Sequence, residues 1–123
     1  MSTYTQVLSN AIETLNEAIA LKQKQIQSIN EYDYSSYKLN LAREKILLTN
    51  IVRSKKFFDD YQDNLLKQSQ NKPILELEQD IEDLNEFTKS YENYQNITSD
   101  LKSTIKSEQA YLNKLKNLFT ENV

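Results

Sequence analysis

The chain contains no glycine, cysteine, histidine or tryptophan, and its single proline is Pro73. Each absence removes a class of structure or chemistry. Without glycine, tight turns at positive φ and bulged hairpins lose their usual residue, and glycine-rich phosphate loops cannot form. Without cysteine there is no disulfide framework and no thiolate nucleophile. Without histidine as well, a Ser-His-Asp triad, an ordinary zinc site and a Glu-x-x-His di-iron bundle cannot be assembled. Carboxylates do pair at helical spacing, as Glu82 with Glu86 and Asp59 or Asp60 with Asp63. Such pairs read as a solvated acidic face before they read as a metal site. The expectation is a non-enzymatic protein with no cofactor, no metal and no small-molecule substrate.

Long apolar runs are also missing. The best near the middle is "ILLTNIV", Ile46 to Val52, far short of the roughly 20 residues that span a bilayer. The N-terminus lacks the basic start and apolar core of a signal peptide. These features lead us to expect a soluble, intracellular (cytoplasmic) chain without a membrane span. With 15 Lys and Arg against 18 Asp and Glu, the net charge is −3. That balance argues against a general nucleic-acid binder, which needs surplus cations to displace counterions from phosphate.

What is present is a set of helix formers arranged in stripes. The 123 residues suffice for one domain with a modest core. The expected fold is all-α: an elongated antiparallel three-helix bundle or coiled coil with a long C-terminal helix, the helices covering about 3–31, 35–68 and 73–119. Thr3 and Gln6 fit a capping box at the first helix. Leu8, Ile12, Leu15, Ile19, Ile26 and Ile29 follow in steps of three and four, with Lys22 in the vacant seam position. A lysine there is expected to snorkel past the core edge. Asp33, Ser35 and Ser36 are candidate N-caps for the second helix. Its stripe of Tyr37, Leu41, Leu48, Ile51, Val52, Phe58, Tyr61 and Leu65 is widened by Ile46, Leu47, Phe57 and Leu66. A helix apolar over so much of its circumference is expected to be the central strut, packed on two neighbours.

Pro73 suits the first turn of the third helix. Its stripe runs Ile74, Leu77, Ile81, Leu84, Phe87, Tyr91, Tyr94, Thr98, Leu101, Ile105, Glu108, Leu112, Leu115, Phe119. Two consecutive steps of three, Ile81–Leu84–Phe87, read as a stammer. Phase places Phe87, Tyr91 and Tyr94 in the core as a polar-edged layer. Between Lys38 and Lys56 there are six basic residues and one acid, and between Glu76 and Asp100 eight acids and one base. In an antiparallel hairpin Arg53, Lys55 and Lys56 are therefore expected near Glu82, Asp83 and Glu86, setting orientation more than stability.

The helix lengths are unequal, roughly 43, 50 and 70 Å at 1.5 Å per residue. The third helix should outrun its neighbours beyond about Lys106, leaving Tyr111, Leu112, Leu115, Leu118 and Phe119 to face a partner. The alternative is a break at "NITSD", Asn96 to Asp100, giving a four-helix bundle. Three of the eight tyrosines, Tyr32, Tyr34 and Tyr37, cluster at the first helix–helix connection. Tyrosine offers large contact area at little rotamer loss. The expected function is a helical protein–protein interaction module (an adaptor, scaffold or small subunit), associating with a protein partner or with itself. It would act through the overhang (Tyr111, Leu112, Leu115, Leu118, Phe119) and the tyrosine end (Tyr32, Tyr34, Tyr37), by coiled-coil or helix-in-groove packing. The second reading is a small phage or mobile-element protein that blocks a host factor through the acidic helical face.

Overall fold

In the computed structural model, three helices follow one another: α1 Thr3–Asn30, α2 Tyr34–Gln68 and α3 Ile74–Glu121. They hold 28, 35 and 48 residues. The structure describes residues 3–68 and 73–121, and among these there is no strand. The Thr3 side chain of the expected capping box, residues 69–72, and the side chains of Ile74 and Phe119 lie outside the described residues. Pro73 stands one position before the third helix, its carbonyl accepting the first helical bond from Leu77 at 3.1 Å. Helix α3 runs unbroken through Asn96–Asp100. Within that stretch the Thr98 hydroxyl donates to the Tyr94 carbonyl at 2.8 Å, an interior helix bond rather than a cap.

Helix α1, not α2, is the central strut. Its backbone lies close to both neighbours, whereas the backbones of α2 and α3 approach each other little. Side-chain size explains the correction. The α1 seam is Leu8, Ala11, Leu15, Ala18, Lys22, Gln25 and Ile29, all buried. Its steps of three and four keep one heptad phase, and the two alanines let neighbouring backbones come close. Helices α2 and α3 instead meet through rings. Phe58 stacks on Phe87 with centroids 4.3 Å apart, and Phe87 on Tyr91 at 6.0 Å. Interposed aromatics keep the two backbones apart. The contacts Phe58–Phe87, Tyr94–Glu44 and Tyr34–Glu108 step backward along α2 as they step forward along α3. The two helices are therefore antiparallel.

Two other seams run differently from the expected stripes. On α2 the buried positions are Asn40, Glu44, Ile51, Phe58, Tyr61 and Leu65, with Leu47 partly buried. Polar Asn40 and Glu44 thus hold the places expected of Leu41 and Leu48, and Leu48 is 39% exposed. On α3, Ile81 is exposed and half-buried Asp80 takes its place, accepting a hydrogen bond from the Tyr61 hydroxyl. Leu77, Asp80, Leu84, Phe87, Tyr91, Tyr94 then alternate threes and fours, so the seam carries no stammer. Phe87 is buried and Tyr91 and Tyr94 pack against the core cluster, as their phase required.

The three helices meet at Glu44, 2% exposed. Its Oε1 accepts from Lys22 Nζ at 3.0 Å and from Gln25 Nε2 at 2.8 Å. Its Oε2 accepts from the Tyr94 hydroxyl at 2.5 Å. Lys22 is 8% exposed, so it ends inside the bundle and does not snorkel. Among the described residues, the buried Gln25 Oε1 finds no hydrogen-bond partner. The expected cross-helix pairs of Arg53, Lys55 and Lys56 with the acidic block do not form among the described residues. Lys55 binds Asp59 on its own helix at 2.6 Å and lies over the Tyr91 ring.

Glu44→Leu strands Lys22 in the core and should lower unfolding free energy by about 3–5 kcal/mol. Adding Lys22→Met should restore a large part of that loss, which urea titration of the double-mutant cycle reads directly. Burial first, and then the bond to Glu44, hold the Tyr94 hydroxyl well above the ordinary tyrosine value of 10.0. A raised folded pKa means the stabilisation is complete below pH 10.0 and is lost as pH rises through the folded value. Tyr94→Phe should therefore flatten the alkaline limb of a stability–pH profile.

Candidate functional site

The end of the bundle where α1 turns into α2 is built without glycine. The Tyr32 amide donates to the Ile29 carbonyl at 3.1 Å and the Asp33 amide to the Ser28 carbonyl at 2.8 Å. That pair of bonds is a Schellman ending, whose C′ residue must be left-handed. Tyr32 fills it at φ 59°, a conformation a Cβ-bearing residue resists by roughly 1–2 kcal/mol. Asp33 then caps α2. Its Oδ1 accepts from the Ser36 amide at 3.1 Å and its Oδ2 from the Ser36 hydroxyl at 2.7 Å. Of the three candidate caps, Asp33 is the one used. Those two Ser36 bonds, the hydroxyl's first, hold the Asp33 carboxyl below its ordinary value.

This turn presents the predicted tyrosines unequally. Tyr32 and Tyr34 are exposed, at 59% and 42%, and Tyr37 is half-buried. The Tyr34 hydroxyl donates to Glu108 Oε1 of α3 at 2.8 Å. That bond is the main cause of an upward shift of the phenol. Between Tyr34, Tyr37, Ile29, Ile105, Glu108 and Leu112 lies an open notch of about 290 Å³. The two patches expected separately from sequence, the tyrosine end and the start of the overhang, are thus one continuous surface. Tyr32 stands at the turn and does not line the notch.

Beyond the notch α3 continues to Glu121, about 20 Å past Glu108 at 1.5 Å per residue. Tyr111, Leu112 and Leu118 are exposed there and Leu115 is half-buried. Phe119 lies on the helix, its side chain outside the described residues. Glu108, in register with the α3 seam, ends at the notch bonded to Tyr34. The exposed apolar surface is wider than sequence suggested. On α2, Ile46 is 77% exposed and Val52 66%, because that helix lies at one side of the bundle rather than at its centre.

Sequence reasoning missed Glu44, Gln25 and Asp80. The signal was nonetheless present. Glu44 sits between Leu41 and Leu48 where the second stripe skips a step, and Lys22 fills the matching gap in the first. Opposite charges at seam gaps, each about ten residues from one turn, are paired by an antiparallel hairpin. Among the described residues no group of three or more carboxylates is placed to hold a metal ion, and no helix is long and apolar enough to cross a membrane. Comparison with protein families, curated proteins and solved structures finds no match.

Tyr32→Gly should raise the melting temperature, since it removes the left-handed strain, whereas Tyr32→Ala should not. Asp33→Ala should lower it only where the carboxylate is ionised. The folded pKa is depressed, so the cap stabilises above the ordinary value of 3.8 and fades as pH falls through the lower folded value. Melting curves of both chains at pH 7 and pH 2 test this. Equal differences at the two pH values would contradict the capping role.

Proposed function

We propose that this chain is a non-enzymatic helical interaction module, an adaptor or small subunit that joins a larger helical assembly. The observation that carries the reading is the continuity of the notch with the overhang. An apolar seam that would normally end with the bundle runs on past it for about three turns of α3. A stable monomer does not usually leave such a row in water. The packing mode is helix-in-groove or coiled-coil pairing, with Leu112 and Leu115 on the seam, Tyr111 and Leu118 beside it, and Tyr34 and Tyr37 at its base.

A second reading draws on the acidic half of α3. Glu82 and Glu86 are exposed, and no ion pair inside the bundle engages them among the described residues. They could face a basic partner, in the manner of a small inhibitor that imitates nucleic acid. Salt separates the two: a charge-driven complex weakens between low and high ionic strength, an apolar one does not.

The combined change Leu112→Ser and Leu115→Ser should lower folding stability by only about 1–2 kcal/mol in total, since Leu112 is exposed and Leu115 half-buried. It should at the same time abolish association. Light scattering reads association of the chain with itself, and capture from the source lysate reads other partners. The proposal fails if the variant unfolds, which would make these residues core. It also fails if mass and captured partners are unchanged.

A further inference from the structure

The splaying of α2 from α3 leaves a second feature. With α1 close to both and the other two apart, the helices occupy three corners of a four-helix arrangement. The fourth corner is a groove between α2 and α3 that no described residue of α1 lines. Three adjoining hollows, of about 250, 190 and 400 Å³, form it. The first shares Leu84 and Thr88 with the second, and Lys55 and Tyr91 with the third. Phe58 and Phe87 form its apolar floor, and Val52 and Ile81 stand exposed on its rims.

We infer that this groove receives the C-terminal segment of α3 from a second copy of the chain, in a reciprocal antiparallel pair. The inference rests on the reading of that segment as an interaction surface, and adds its receptor. Length agrees: the groove runs along α3 from Ile81 to Gln95, about 21 Å, and the segment beyond Glu108 is about 20 Å long. Charge agrees as well. The lining sets Asp59, Asp60 and Glu92 against Lys55 and Lys56, with Lys55 paired to Asp59 on its own helix, and the α3 flank carries eight acids and one base from Glu76 to Asp100. The incoming segment carries Lys114 and Lys116 against the terminal Glu121, with Lys106 just before it, while Glu108 is engaged by its own Tyr34. Opposite charge on the two surfaces steers the antiparallel orientation. The segment lies at one end of α3 and the groove toward the other. A two-fold axis across α3 therefore seats both segments at once and closes the pair, with no open surface to propagate a filament. Each copy supplies the missing fourth helix of the other.

The test uses full-length protein and light scattering over a concentration series, with circular dichroism confirming the fold. Wild type should have the mass of a dimer. Leu112→Ser with Leu115→Ser in the segment, and separately Thr88→Arg on the exposed wall of the groove, should each raise the dimer dissociation constant by about tenfold or more. Mixing the two variants should restore a mixed dimer, because one intact segment then meets one intact groove. As a second measurement, the chain has no cysteine of its own, so Thr88→Cys and Leu115→Cys made in separate copies should form an intermolecular disulfide on oxidation. A wild-type monomer at all concentrations overturns the inference, as does a dimer that Thr88→Arg leaves intact with no cross-link formed. Loss of association in the segment variant but not in Thr88→Arg would sink the groove and leave the interaction module standing. Insensitivity to both would remove the two together.

Discussion

Everything in this bundle is arranged around one buried carboxylate. Glu44 cannot sit in an apolar core unless its lone pairs are met, and they are met from both other helices: Lys22 and Gln25 on α1, Tyr94 on α3. The node sets the relative register of all three helices, because a slip of one residue turns each donor by about 100° around its helix axis. Leucine layers alone tolerate such slips better, since one apolar contact replaces another. Asp80 with Tyr61 repeats the device toward the other end. A largely apolar stretch from Leu8 to Ala18 on α1 forms the main apolar cluster, against Ile51, Phe58, Tyr61 and Phe87.

The same packing decides where the surface is left open. Small residues on α1 draw both neighbours to it, and large rings between α2 and α3 hold those two apart. The result is a helix pair flanking a central strut, with a groove on the far side and an apolar flank on α2 that no helix covers among the described residues. At the other end, unequal length does the same work. α1 and α2 turn back at Tyr32 while α3 continues, so the tyrosine end and the overhang come to share one notch. Both openings follow from the placement of alanines, aromatics and helix ends, and both present apolar surface of the kind a further helix would cover.

Composition and periodicity were enough to determine that the chain is helical, that it has three helices with ends within one or two residues of those seen, and that histidine, thiol and glycine-loop chemistry is excluded. They also determined the phase of Phe87, Tyr91 and Tyr94, because that stretch has apolar or aromatic residues at seam positions and polar ones elsewhere. What only the tertiary structure decided was which helix lies at the centre, where the seams of α2 and the start of α3 run, and that two distant patches form one surface. The reason is physical. A stripe as broad as that of α2 admits more than one seam about 100° apart, and polar residues such as Asn40, Glu44 and Asp80 qualify for the interior only when another helix brings their partners to them.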